Sequence, residues 1–200
     1  MGPSSRDAVF RRSLGATLAV IVSCALDELI RLGYQARKDG RLTDARSAFC
    51  EAVGLSREAR NEESLASSLV GLGQIERDLG NREVATQHYR EAVEIFRRGT
   101  DPLQLAHTIR HLADILRGDG ALEAARPLYE EALNIYRNDP KTLPLDLANA
   151  IRGFALLRGT AGEVDEARIL WREARALYAS VEVQAGVQES EAYISRLTTK

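Results

Sequence analysis

The sequence predicts an all-α chain: an α-solenoid of helix-turn-helix repeats with a capping helix at each end. Three observations lead there. The stretch GRLTDARSAFCEA, Gly40 to Ala52, recurs as GNREVATQHYREA from Gly80, GALEAARPLYEEA from Gly120 and GEVDEARILWREA from Gly162. The glycines are spaced by 40, 40 and 42 residues, a period of repeat arrays. Each copy keeps Gly, Ala, a large aromatic and Ala in register, the aromatics being Phe49, Tyr89, Tyr129 and Trp171. Finally, apolar residues follow helical spacing, alternating β-branched runs are scarce outside one N-terminal patch, and there are only 5 prolines.

Residues 1–25 precede the repeats. Met1 to Ser5 is small and turn-like; Arg11 and Arg12 then lead into Leu14 to Leu26, a stretch without a charged residue. Two readings stand side by side. Leu14, Leu18, Ile21, Val22, Ala25 and Leu29 form a stripe that would cover the open end of an array as a helix. A basic start, an apolar middle and small residues Ser23 and Ala25 also fit a signal-like segment over residues 11–25. Ile21-Val22-Ser23-Cys24 resembles a bacterial lipoprotein box, and a bacterial source is expected. Cytoplasmic localisation is the expectation, with export or lipid anchoring as the alternative.

The four repeats span residues 26–185, at about 26–60, 61–100, 101–143 and 144–185. In the first, Leu29, Leu32 and Ala36 mark one face of a helix that Gly40 ends, because glycine accepts the left-handed conformation that closes helices. Thr43 or Asp44 is expected to cap the second helix and Asn61 the next one. Leu69, Leu72 and Gly73 repeat the pattern, with Asn81 as the following cap. Asp101-Pro102 signals a helix start, since Asp caps and Pro tolerates the first turn. Pro127 sits early in a second helix, and Asn138 to Pro144 is the longest link. Residues 186–200 complete the chain with an amphipathic capping helix.

Composition excludes several functions. A net charge of −2 with 28% charged residues steers the chain toward neither nucleic acid nor anionic membranes. Cys24 and Cys50 form no CxxC pair and read as free thiols. No cofactor motif is present: Gly71-Leu72-Gly73 lies inside a helix and reads as packing, and Gly118-Asp119-Gly120 is a turn without a calcium-loop carboxylate ladder.

Leu32-Gly33, Leu72-Gly73, Leu112-Ala113 and Phe154-Ala155 in the first helices, with Ala45/Phe49/Ala52 and its copies in the second, resemble the tetratricopeptide repeat. The 40-residue pitch is similar to the kinesin-light-chain style of that family. The resemblance implies a right-handed solenoid whose first helices line a concave groove for a peptide or partner protein. By that register the groove residues are Arg31, Tyr34, Arg37, Gln74, Arg77, His107, Arg110, His111, Asp114, Asn149 and Arg152. Their local excess of positive charge suits an acidic segment, because Arg grips carboxylates bidentately. Arg37, Arg77 and Arg117, each three residues before a turn glycine, fit cations complementing helix C-termini better than a ladder for a bound backbone.

His107 and His111 stand at i and i+4, a spacing that can share a metal, but Arg110 between them would repel a cation. A non-catalytic interaction module is the expected function. The alternative is a homo-oligomeric scaffold; a metal site at His107/His111 is a third. The expected partner is a protein or peptide, with no nucleic acid, and a membrane only through residues 11–25.

Overall fold

The computed structural model describes residues 5–198, with side chains from residue 19 onward. Helices joined by short turns make up the described chain: α1 (Ser5–Lys38), α2 (Leu42–Ala59), α3 (Glu62–Asp78), α4 (Arg82–Arg98), α5 (Pro102–Gly118), α6 (Leu122–Asn138), α7 (Pro144–Thr160), α8 (Val164–Ser180) and α9 (Gln184–Thr198). The fold class is all-α, of the solenoid-repeat kind. The helices divide into two compact units, Met1–Ile95 and Phe96–Lys200.

All four turns inside the repeats share one geometry. Gly40, Gly80, Gly120 and Gly162 have φ of +76°, +86°, +79° and +83°. The amide after each glycine donates to the carbonyl five residues earlier, Arg41 to Ala36 at 2.9 Å, Asn81 to Glu76 at 2.8 Å, Ala121 to Leu116 at 2.9 Å and Glu163 to Arg158 at 2.9 Å. This pairing satisfies carbonyls that a helix end otherwise leaves open. Asn61 and Asp101 cap as predicted, accepting from the amides of Ser64 and Gln104, both at 3.0 Å. Pro127 is accommodated inside α6, and the 138–144 link separates α6 from α7.

Three expectations need correction. Nothing breaks the chain near residue 26: α1 is continuous from Ser5 to Lys38, since neither Pro nor Gly occurs between Ala16 and Leu32. Its predicted apolar stripe is not a core face in the described part, because Ile21 and Ala25 are exposed; the side chains of Arg11, Arg12, Leu14 and Leu18, and all of residues 1–4, lie outside the described residues. Leu32 is likewise exposed, and Leu26, Gly33 and Ala36 are buried instead. Finally, α2 is capped by neither Thr43 nor Asp44. The glycine turn runs straight into the helix, Arg41 occupies the cap position without a side-chain capping bond, and its guanidinium pairs with Asp44 at 2.8 Å.

In the first unit Phe49 is buried between two first helices. A Cβ on Gly33 of α1 would stand 2.8 Å from its ring, and one on Gly71 of α3 only 2.2 Å. Those two glycines let the helices close on the aromatic from both sides. Tyr89 packs against Gly73 in the same way, at 3.1 Å. Glu76 is buried beneath them, with Arg46 donating at 2.6 Å and Asn81 at 2.7 Å. Burial alone would raise its pKa, but the bonds from Asn81 and Arg46 outweigh burial and hold the carboxyl below its usual range.

The second unit uses the same devices. Tyr129 and Trp171 are buried, and Gly153 of α7 gives Tyr129 room. Burying such rings contributes about 1.5–3 kcal/mol each, so truncation to Ala costs roughly 3–5 kcal/mol. Second helices are stapled within each unit by a recurring ion pair. Arg57 donates to Glu91 at 2.8 Å in the first, and Arg97 to Glu131 and Arg137 to Glu173, both at 2.9 Å, in the second. These pairs are exposed, so each is worth under about 1 kcal/mol.

Candidate functional site

The predicted site residues fall in both units and are described separately. In the first, Asp78 at the end of α3 accepts from Arg37 of α1 at 2.8 Å and from Arg77 at 3.0 Å. Arg31 is exposed and held by Glu28 at 2.6 Å. Tyr34 packs edge-on against Phe49, ring centroids 5.0 Å apart, with part of its surface in solvent. Gln74 is buried, at 6% exposure, and does not project into solvent.

The second unit holds the denser group. The Asp101 cap sets the phase of α5: Ala106, Ile109 and Ala113 face the core, and His107, Arg110, His111 and Asp114 follow at i, i+3, i+4 and i+7. Arg110 is central and buried, at 9% exposure. Its Nη1 donates to Asp114 at 3.0 Å and its Nη2 contacts His111 Nε2 at 2.9 Å. A guanidinium only donates, so in this contact His111 Nε2 is the acceptor. His107 Nε2, 3.2 Å from the same atom, is then a donor. The imidazole rings stand edge to face, centroids 4.6 Å apart.

Arg110 thus stands against the imidazole pair, and among the described residues no group of three or more His, Cys, Asp or Glu is placed to hold a metal ion.

Asp114 carries the network to the next helices. Tyr129 of α6 donates to it at 2.5 Å and accepts from Arg117 at 3.3 Å. Burial, reinforced by the Asp114 charge, raises the Tyr129 pKa well above its ordinary value. Gly153 makes the contact possible, since a Cβ there would stand 2.6 Å from the tyrosine ring and 2.9 Å from the Asp114 oxygen. Farther along α7, Asn149 accepts from Tyr178 at 2.8 Å. Arg152 grips Glu189 of α9 bidentately, at 2.5 and 2.7 Å, and those bonds raise its pKa.

Two features of this region were missed by the sequence reading. Tyr136 Oη and Arg110 Nε are both buried, and burial, opposed by the nearby Arg110 guanidinium, pushes the Tyr136 pKa up to about 12. Glu163 accepts from Arg126 at 2.7 Å and from Arg158 at 2.5 Å, and these bonds hold it down at about 2. Only Tyr136 had a sequence signal, standing seven residues after the signature aromatic, as Tyr178 does.

Charge is less free here than the sequence suggested. Arg31, Arg37, Arg77, Arg110 and Arg152 each face a carboxylate of the chain itself. Elsewhere, Cys24 and Cys50 are free and exposed. Among the described residues no helix is long and apolar enough to cross a membrane.

Comparison with known proteins agrees with this geometry. Two family models, both described as tetratricopeptide repeat, match residues 24–98 and 105–138, together more than half of the chain. Among solved structures, the crystal structure of BtubC (BKLC) from P. vanneervenii is similar in fold. The TM-score is 0.70 at 20% sequence identity, over 98% of this chain and 87% of that one. No curated protein matches the sequence.

Proposed function

Because the chain belongs to the tetratricopeptide-repeat family, whose repeats generally serve as protein–protein interaction modules, we propose that it holds a peptide or partner-protein segment against its first helices, without catalysis. One observation carries this reading. On α5 and α7, His107, Asp114, Asn149 and Arg152 are polar, at least partly accessible, and already fixed by bonds to one another or to neighbouring helices. Side chains ordered before binding lose little freedom when a partner arrives.

An acidic segment is the finer reading, on the strength of the arginines. Since each already holds an internal carboxylate, an acidic peptide has to share or displace that acid. The preference for it over a neutral peptide is expected to be under about tenfold.

Photo-crosslinking residues placed separately at Asn149 and at Ile169, exposed on α8, test the proposal. A protein adduct formed from position 149 and not from 169 is expected. Equal adducts from both, or none from 149 in the native extract, would overturn it.

Self-assembly by stacking at α9 is disfavoured by the residues there. The positions where Ala148, Ile151 and Ala155 bury themselves on α7 are taken on α9 by Gln188, Glu191 and Ser195, all exposed. A second copy would have to bury three polar side chains on that face.

A further inference from the structure

α9 departs from the packing that α3 and α7 share. At Gly71 and Gly153 the helix backbone rests on the preceding aromatic, so closely that a Cβ would stand 2.2 Å from Phe49 and 2.6 Å from Tyr129. The matching position of α9 is Tyr193, whose ring lies flat on Trp171, centroids 4.5 Å apart and planes within 6°. At its other end α9 does come close, since a Cβ on Gly186 would meet Tyr178 at 2.4 Å. The helix is therefore seated at Gly186 and propped at Tyr193 by the thickness of a ring. A cleft of about 550 Å³ opens between the C-terminal halves of α7 and α9.

The cleft is largely apolar, with Thr160 at the end of α7 and Arg196 of α9 among its polar lining. Ala155, Leu156 and Gly159 of α7 and Leu197 of α9 line it with Trp171 and Tyr193. Small residues at 155 and 159 leave room for a flat group beside the aromatic pair. Arg196 lies 5.5 Å over the Tyr193 ring, and no carboxylate of the described residues pairs with it. That separates it from Arg152 of α7, which Glu189 holds. The volume falls in the range of small-molecule sites, about 300–1,000 Å³.

We propose that this cleft binds a small aromatic carboxylate, its ring among Leu156, Tyr193 and Leu197 and its carboxylate on the Arg196 guanidinium. The assignment is independent of the partner-protein reading, since it uses neither His107, Asp114 nor Asn149.

Trp171 is the only tryptophan of the chain, so its emission reports on the cleft directly. The full chain is titrated with 3-phenylpropionate and with its neutral amide. A saturable change with the acid is expected, with a dissociation constant on the order of millimolar for a ligand of this size. The amide is expected to bind at least about tenfold more weakly. Arg196→Gln should bring acid and amide to the same affinity. Gly159→Leu should abolish both responses by filling the cleft. A Cβ at 159 has its nearest neighbour at 3.8 Å, so that helix tolerates the substitution, and circular dichroism verifies the fold.

No saturable response from the wild type would overturn the assignment, as would equal affinity for acid and amide or an undiminished response in folded Gly159→Leu. Emission that changes with protein concentration alone, together with a doubled mass in light scattering, would assign the cleft to a second copy and overturn it too. If Gly159→Leu fails to fold, the acid–amide contrast and Arg196→Gln still decide.

Discussion

Replacing Gly71 by Ala tests the packing argument against the strongest local rule that opposes it. Removing glycine from a helix interior ordinarily stabilises by about 1 kcal/mol, through lost unfolded-state freedom. At Gly71, however, the new Cβ would stand 2.2, 2.4 and 2.6 Å from three carbons of the Phe49 ring. Comfortable carbon contacts lie near 3.5–4.0 Å, so the shortfall exceeds about 1 Å. The ring cannot retreat, because on the other side it lies so near Gly33 that a Cβ there would stand 2.8 Å away, and the side chain is fully buried. Overpacking of this kind costs roughly 1–3 kcal/mol or more, which outweighs the helix gain. A net loss of about 1–2 kcal/mol is expected, or roughly 2–8 °C in Tm for a chain of this size.

Gly54→Ala is the control, since that glycine is exposed inside α2 with nothing within 4 Å of a built Cβ. It should stabilise by about 0.5–1 kcal/mol. Because repeat arrays can unfold in parts, urea melts followed by circular dichroism are paired with hydrogen exchange of α1–α3, where the Gly71 effect should concentrate. Phe49→Leu should be far less costly in the Gly71→Ala background than alone, a coupling above about 1 kcal/mol. A Gly71→Ala chain as stable as wild type, or additivity with Phe49→Leu, would refute the reasoning.

The remaining predictions concern titration and surface charge. Bonds from Arg126 and Arg158 hold Glu163 at about 2 against an ordinary 4.5, so the folded chain binds that proton more weakly than the unfolded one. Its contribution is complete above 4.5 and vanishes as pH falls toward 2; Glu163→Gln should lower the urea midpoint near neutrality and match wild type at the acid end. Tyr136 shifts the other way, with a folded value of about 12 against 10.0, so its contribution is present below 10.0 and lost as pH rises through 12. Tyr136→Phe should remove that alkaline loss. At neutral pH it should cost no more than about 1.5 kcal/mol, because Arg110 is placed to offer the buried hydroxyl at most a weak hydrogen bond; a loss above about 2 kcal/mol would contradict that. Arg97→Ala, which breaks the exposed pair with Glu131, should cost no more than about 1 kcal/mol, and less in high salt; a larger, salt-independent loss in thermal melts would contradict a surface role.

The sequence by itself determined helices α2 to α9, the positive-φ glycines between them, the Asn61 and Asp101 caps and the buried aromatics. These follow from interactions within a turn or two of helix, or from a period that each neighbour repeats, and both are written in order along the chain. Only the tertiary structure decided which polar side chains of the first helices face solvent. Gln74 stands in line with accessible Tyr34 and Asp114, and Arg110 with accessible Arg152, yet both are buried, while Leu32, in line with buried Leu72 and Leu112, is exposed. The angle and separation of neighbouring helices set those outcomes, and they depend on single contacts such as Phe49 on Gly71 or Tyr193 on Trp171. The same holds for the partners of Arg37, Arg126 and Arg152, which lie 41, 37 and 37 residues away. Local pattern places each arginine on a helix face, and only the packed neighbour brings the carboxylate that neutralises it.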